Sequence, residues 1–465
     1  MLFNSTDFLV FFGLFLVAYW LVRRSRAARN WLVVVASYLF YGWWDYRFLG
    51  LLFLTSALDF IVGIRLEGTR TRSGRKAWLV ASVGVNLAVL FTFKYFDFFR
   101  ESFEALLEGI GLPVRWHGFH LILPVGISFY TFQSMSYAID VYRRQVPACR
   151  NLIQFLAYVA FFPQLVAGPI ERAAALLPQF QRTLHIDPAK LESGFGLVVW
   201  GFFKKIVLAD QLAPLVELVF QHDTSSGPMI LLGTVAFALQ IYGDFSGYSD
   251  IARGVARILG FELRLNFDRP YFATDLREFW RRWHISLSTW LRDYLYVPLG
   301  GSRGSRSRTY LNLFVTMLLG GLWHGAAVNF VLWGLWHGLG LALHRWWREN
   351  RRWRLPTGCA WGLTMGFVLY GWLLFRADSP ARLLALHEGL SHWTLPVWWT
   401  TYIWNLTILA APLLAVEGWQ HRTGSVEFPG AEMPRAGRAV VLGFLVLGIA
   451  LCWETEASPF IYFQF

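Results

Sequence analysis

Along this chain, long apolar runs alternate with short charged stretches, most of them basic, and each run is continuous at helix length. Runs of about twenty apolar residues predict membrane-crossing helices, whereas a spanning barrel would show roughly ten-residue segments of alternating polarity. The first run, Phe8 to Val22, has its arginines after it, in RRSRAAR, and no charged segment before it. It reads as a first span with the N-terminus outside, and not as a cleaved signal. Runs from Trp31 to Trp44 and from Phe48 to Ile64 follow, split by Asp45, Tyr46 and Arg47, which predict a tight turn at the far interface. Ala77 to Phe96 leads outward, a mixed segment reaches His117 outside, and Phe119 to Ile139 returns. RRSRAAR, EGTRTRSGRK and YRRQVPACR are all basic, and their alternate positions agree on one cytoplasmic side.

The next run, Leu152 to Gly168, ends in FFPQLVAGPIER, where Pro163, Gly168 and Pro169 break any helix. A broken or re-entrant segment is predicted, which is tolerated at membrane depth only when buried in protein or lining a cavity. Leu191 to Leu208 and Met229 to Tyr242 read as spans, with Asp244 and Asp250 at the polar end of the second. Leu263 to Arg308 carries too much charge for a straight span, so helices lying in or dipping into the cytoplasmic interface are expected. Two apolar runs bearing histidines come next, then the basic RWWRENRRWR. Runs near Trp361 to Phe375, Tyr402 to Trp419 and Val440 to Trp453 follow, with a Pro- and Arg-rich cytoplasmic loop after His421. The reading is an all-α, polytopic membrane protein of about eleven spans, forming one domain over residues 1–465. No fixed-period repeat or inverted pair of halves is visible.

Composition agrees with a lipid solvent: 55% of residues are hydrophobic, only 15% are charged, and 24 tryptophans suit interfacial belts and tight helix packing. The net charge of +12 raises nucleic acid as a partner, but the basic residues fall in loops between spans and not on one soluble face. Topology accounts for them, and no nucleic-acid partner is expected. Cys149, Cys359 and Cys452 stand far apart and make neither a disulfide framework nor a metal site. Neither GxGxxG, GxxxxGK[ST] nor HExxH occurs, which removes the common nucleotide and zinc-protease readings.

The stretch from Leu276 to Gly338 carries the candidate chemistry. In LREFWRRWHISLSTWLRDYLYVPLGG, helical spacing sets Trp280, Trp283, Leu287, Trp290, Leu291 and Tyr294 on one side and Arg277, Arg281 and Arg292 on an adjoining flank. His284 falls on the seam. It reads either as a neighbour of arginines at the interface or as a second histidine that orients substrate. His324 lies between Gly321 and Gly325 in a run without formal charge from Tyr310 to His344. An imidazole there is costly without a partner or a purpose. Two readings stand: a general base with glycines leaving room for substrate, or an interhelical hydrogen bond with glycines serving close packing. His337 falls about 220° from His324 around one ideal helix, so it is expected to serve packing or another helix. Asp244 and Asp250, with Gln240, Tyr242, Ser246, Tyr248 and Ser249, read first as interhelical hydrogen-bonding groups. Arg277, Arg281, Arg282 and Arg292 match phosphates of an acyl carrier, and match equally well the roles of topology determinants and anionic-lipid contacts.

EFWRRWHISLSTWLRDYLYVPLGG followed by GGLWHG, with FFPQLVAGPIER and YGDFSGYSDIARG upstream, resembles the membrane-bound O-acyltransferase family. The likeness covers nearly the whole chain and is greatest to the bacterial alginate O-acetyltransferase branch, whose ending PFIYFQF also resembles. It implies a ring of helices around a thinned, tunnelled centre, approached by two histidines from opposite sides. It places the catalytic histidine on His324 of GGLWHG and the second on His284 of RRWHIS. Flanking these, Trp283, Ser288, Arg292, Trp323 and Asn329 stand as candidate substrate-binding residues. The implied reaction moves acetyl from a cytoplasmic thioester, acetyl-CoA or another, toward an acceptor outside, with no cofactor bound permanently. Implied partners are the bilayer of the bacterial inner membrane and periplasmic acetyltransferases that finish the transfer to alginate. Acetylation of cellulose or peptidoglycan, teichoic-acid D-alanyl transfer, and a transporter of an acyl intermediate remain alternatives.

Overall fold

The structure, a computed structural model, describes residues 1–112, 114–118, 121–184, 187–221, 226–350, 355–428, 430, 433–454, 458 and 460–461, and these form helices without a strand. Six segments among them are long and apolar enough to cross a membrane: 26–68, 72–109, 227–258, 357–376, 399–423 and 435–452. The expected eleven spans exceed these six partly because 26–68 holds two helices and because the apolar helix Thr6–Val22 is short. The chain is a multi-pass membrane protein built of two compact units, Met1–Lys190 with Val255–Leu263, and Leu191–Gly254 with Arg264–Phe465.

In the first unit, side chains start the helices where the sequence supplies them. Ser5 accepts from Phe8 N–H ahead of α1 (Thr6–Val22), and Ser25 accepts from Ala28 N–H ahead of α2 (Arg26–Asp45). The expected turn at Asp45 is a short 3-10 segment, Tyr46–Phe48, with Asp45 accepting the Arg47 N–H at 2.9 Å. Then come α3 (Leu49–Gly68), α4 (Arg72–Leu90), a π-helical turn at Phe91–Tyr95, and α5 (Phe96–Gly109). Between α3 and α4, buried Asp59 takes the Ser82 hydroxyl at 2.5 Å and the Asn86 amide at 2.9 Å. In a lipid setting such a closed polar contact fixes which helix faces meet.

The returning run does not begin its helix near 119. Phe119 lies outside the described residues, and α6 spans Ile127–Tyr142, because Pro124 and Gly126, at φ +73°, turn the chain first. A Cβ on Gly126 would come 2.6 Å from the Leu165 carbonyl oxygen. The break expected in Leu152 to Gly168 is present: α7 (Leu152–Val159) and α8 (Phe162–Leu165) are separate, largely buried pieces. Gln133 and Gln164 both donate to the freed Tyr158 carbonyl at 2.9 Å, satisfying a break that lipid could not. Helix α9 (Ala173–Gln181) completes this unit's helices.

The second unit begins within α10 (Pro188–Phe202), which runs on as a π-helical segment, Phe203–Asp210, and into α11 (Gln211–Gln221). Helix α12 (Gly227–Ile258) is one 32-residue element, so Asp244 and Asp250 lie inside a helix and not at the polar end of a shorter span. The basic stretch folds as α13 (Leu276–Arg282), α14 (Ile285–Leu291) and a π-helical turn, Arg292–Tyr296. Several helices were expected here, but the helical spacing read unbroken from Trp280 to Tyr294 does not hold, because the chain breaks at Trp283 and His284. The remaining helices are α15 (Arg306–His324), α16 (Val328–Asn350), α17 (Thr357–Arg376), α18 (Pro380–Gly389), α19 (Trp399–Thr423) and α20 (Arg435–Cys452). On α20 only Leu445 is buried, which leaves most of its apolar surface for lipid.

Helices α15 and α16 form a hairpin joined by three residues. A Cβ on Gly334 would lie 2.7 Å from the Met317 carbonyl oxygen, and one on Gly338 would lie 3.0 Å from Phe314 Cα. A Cβ on Gly321 would collide with the Phe330 carbonyl oxygen. Small residues thus let two backbones touch, the packing that lipid-embedded helices favour. Gly334→Ala is expected to destabilise the detergent-solubilised protein by about 1–3 kcal/mol, read as a lower melting temperature. Gly366→Ala on α17, with open space around its Cβ position, serves as the control and is expected to melt unchanged.

Candidate active site

His324 is the last residue of α15, buried at the hairpin turn, where the backbone contact just described fixes its position. Its ring packs edge-on against Trp333 at 5.0 Å and Phe375 at 5.4 Å. Trp333 in turn meets His337 at 4.7 Å, and His337 meets Trp280 at 5.1 Å. His337, expected to serve packing or another helix, lies on the other arm of the hairpin from His324, and Trp333 touches both.

A cavity of about 360 Å³ opens beside His324, walled by α13, α14 with its π-helical turn, α15 and α16. Gly320, Met317, Trp333 and Trp280 supply its apolar wall, and Ser288, Arg277, Arg281 and Arg292 its polar one. The glycines around His324 therefore divide their work. Gly320 faces the cavity, whereas Gly321 serves helix contact, and a Cβ on Gly325 would strike the Phe330 ring. The arginines divide as well. Arg282 is held by Glu278 at 2.6 Å, and Arg292 leans on Asp293 at 2.7 Å. Arg277 and Arg281 carry no ion pair among the described residues and stay exposed at the cavity.

His284 sits at the break between α13 and α14. It is fully buried and adopts φ +43°, a left-handed conformation that costs a non-glycine residue about 1–3 kcal/mol unless its surroundings hold it. It is therefore no interfacial neighbour of the arginines. Asn266, in the extended chain after α12, lies against the break: its carbonyl accepts the Ile285 N–H at 2.8 Å, and its side-chain oxygen accepts the Ser286 N–H at 3.1 Å. The Phe245 ring meets the His284 imidazole edge-on at 4.6 Å. Trp323 stands between the two histidines, 6.0 Å from His284 and 5.1 Å from His324, ring centre to ring centre.

Of the sequence-derived candidates, His324, Ser288 and Arg292 line the cavity. His284, Trp283, Trp323 and Asn329 are buried outside its lining. Trp283 packs among Phe267, Phe279 and Trp372, and Asn329 donates to the Phe375 carbonyl at 2.9 Å. Asn266 and Trp333 were not singled out in the sequence. Trp333 bears a visible signal, since WHG occurs twice and the tryptophan between them is one helical turn from the second histidine. Asn266 bears none.

The polar patch on α12 is a buried ion network. Lys204 pairs with Asp250 at 2.7 Å, and Lys205 pairs with Asp210 and Asp244, both at 2.9 Å. The π-helical segment carries both lysines, and Asp244 also accepts the Ile461 N–H at 2.7 Å. These contacts are the interhelical bonding expected of the two aspartates, with ionic partners added.

The sequence profile of MBOAT, the membrane-bound O-acyltransferase family, matches residues 143–387. The chain is 40% identical to a probable alginate O-acetylase, AlgI, of Azotobacter vinelandii over the whole of both chains. It is 45% identical to the corresponding protein of Pseudomonas aeruginosa over 84% of this chain and 75% of that one. A peptidoglycan O-acetyltransferase of Helicobacter pylori is 33% identical over 77% and 73%.

The chain belongs to the membrane-bound O-acyltransferase family.

It is accordingly an O-acyltransferase, and the cavity beside His324 is its candidate active site. Lys205→Met would leave buried Asp244 and half-buried Asp210 without their shared cation, and breaking a buried pair costs about 3–5 kcal/mol. The variant is expected to lose most of its folded yield on size-exclusion chromatography. A yield and melting temperature equal to wild type would contradict the ion network as drawn.

Proposed function

We propose that this protein moves an acetyl group from a cytoplasmic thioester across the inner membrane for O-acetylation of an extracellular polysaccharide, alginate first among the candidates, with His324 as general base. The observation that carries the reading is His324 on the wall of a cavity whose rim holds two uncommitted guanidinium groups, Arg277 and Arg281. The full-length similarity to probable alginate O-acetylases supports the acceptor class.

The acceptor hydroxyl gives its proton to the neutral His324 imidazole as its oxygen attacks the thioester carbonyl. When the C–S bond breaks, the thiolate leaves and takes the proton from the imidazolium, so the base is restored. Arg277 and Arg281 bind donor phosphates through charge-assisted hydrogen bonds, as acetyl-CoA would require. His284 orients the acceptor. The N-terminus faces the periplasm, the inner membrane holds the protein, and a periplasmic acetyltransferase finishes the transfer to the polymer.

In cells making the polymer, His324→Ala at matched membrane levels is expected to cut ester-linked acetate at least about 100-fold, the low end of what a positioned base contributes. Polymer yield should hold. Unchanged acetate on alginate but lost acetate on peptidoglycan would move the acceptor, and unchanged acetate on both would remove His324 from the chemistry. Arg277→Gln with Arg281→Gln is expected to raise KM for acetyl-CoA about tenfold or more while kcat changes little, since each lost charged hydrogen bond is worth about 1.5–3 kcal/mol. An unaltered KM would contradict the phosphate role.

A further inference from the structure

One side chain that bonds across the break at His284 is pointed to by no motif. Asn266 is buried and reaches both sides of the break and α12 at once. Its main-chain carbonyl accepts the Ile285 N–H at 2.8 Å, and two residues on, the Asp268 N–H donates to the Arg282 carbonyl at 2.9 Å. The extended chain thus runs alongside the residues that flank His284 and fixes where the turn occurs. Its side-chain amide nitrogen donates to Ser249 on α12 at 3.1 Å. Its side-chain oxygen lies 3.1 Å from the Ser286 backbone nitrogen, 2.9 Å from the Ser286 hydroxyl and 3.3 Å from His284 Nδ1.

The Ser286 backbone N–H decides the amide's orientation. A main-chain N–H can only donate, so the atom it faces must be the oxygen of Asn266, and that oxygen can only accept. An imidazole nitrogen beside an acceptor-only atom carries the hydrogen, and in a neutral ring the other nitrogen then bears the lone pair. The Ser286 hydroxyl also lies near this nitrogen, 3.5 Å from the same Nδ1. It is the longer contact, and the hydroxyl's own hydrogen is directed at the Asn266 oxygen at 2.9 Å.

We propose that Asn266 is a positioning residue that holds His284 in its left-handed turn and fixes its ring as the Nδ1–H tautomer, presenting Nε2 as an acceptor. The use of that acceptor rests on the reading that His284 orients a hydroxyl substrate. The tautomer itself does not. With Nε2 as acceptor, His284 takes a hydrogen bond from a hydroxyl or water and is not a donor to a carbonyl, which separates the two sides of the reaction it can serve.

Nitrogen-15 histidine spectra of the full-length protein in lipid nanodiscs test this, with His284→Gln identifying the His284 signals. The expected wild-type spectrum has a protonated Nδ1 and an unprotonated Nε2. Ser286→Ala should keep that pattern, because Asn266 remains. Asn266→Ala should lose it, giving a mixture of tautomers and a kcat lowered more than tenfold with KM for acetyl-CoA within twofold of wild type. A protonated Nε2 in the wild type would overturn the proposal, as would loss of the pattern in Ser286→Ala. If Asn266→Ala does not fold, the wild-type and Ser286→Ala spectra decide. If His284→Gln keeps full activity while the wild-type spectrum is as expected, the substrate role fails and the positioning role stands.

Discussion

Backbone contact between α15 and α16 is the constraint on which the site depends. Gly321, Gly334 and Gly338 have no room for a Cβ, so the hairpin's two arms meet main chain to main chain and the imidazole at its turn has one place to go. In a membrane there is no hydrophobic drive between apolar helices, and such contact is what holds them. His324 is thereby pressed between Trp333 and Phe375, with one side left to the cavity. The same closeness leaves Gly320, the neighbour of Gly321, to face the cavity and not the partner helix.

A second constraint acts at the other histidine, where a helix is interrupted. The left-handed turn at His284 is costly in isolation, and Asn266 supplies the hydrogen bonds that hold it. Trp323, the residue before His324, touches both imidazoles. One residue thus links a site set by helix packing to a site set by a loop. The paired lysines of the π-helical segment against Asp210, Asp244 and Asp250 fix α12, which carries Phe245 and Ser249 to that loop.

Much of this was legible in the sequence. The class was plain from the runs, since lipid demands helices whose composition cannot be disguised. The broken segment ending at Gly168 was legible because Pro163, Gly168 and Pro169 leave the backbone no alternative. His324 announced itself as an imidazole in a charge-free stretch. The break at His284 was not legible, because WRRWHISLSTW keeps helical spacing straight through it. What ends α13 there is tertiary: Asn266 comes from outside the motif and takes the backbone donors of Ile285 and Ser286. The long α12 was missed for a related reason, since Asp244 and Asp250 look like a span's end until Lys204 and Lys205 neutralise them from another helix. Spacing alone also could not separate the arginines, which the structure divides by whether a carboxylate lies within reach.

In the proposed reaction the cavity beside His324 holds the acyl thioester, with its carbonyl carbon within reach of a hydroxyl bonded to the imidazole. The most direct measurement is an experimental structure of the full-length protein in lipid with a thioether analogue of acetyl-CoA, which binds but cannot transfer. Analogue density is expected in the cavity, with the acyl end beside His324 and phosphates at Arg277 and Arg281. Density for the analogue at any other place, with the cavity filled by lipid, would contradict it.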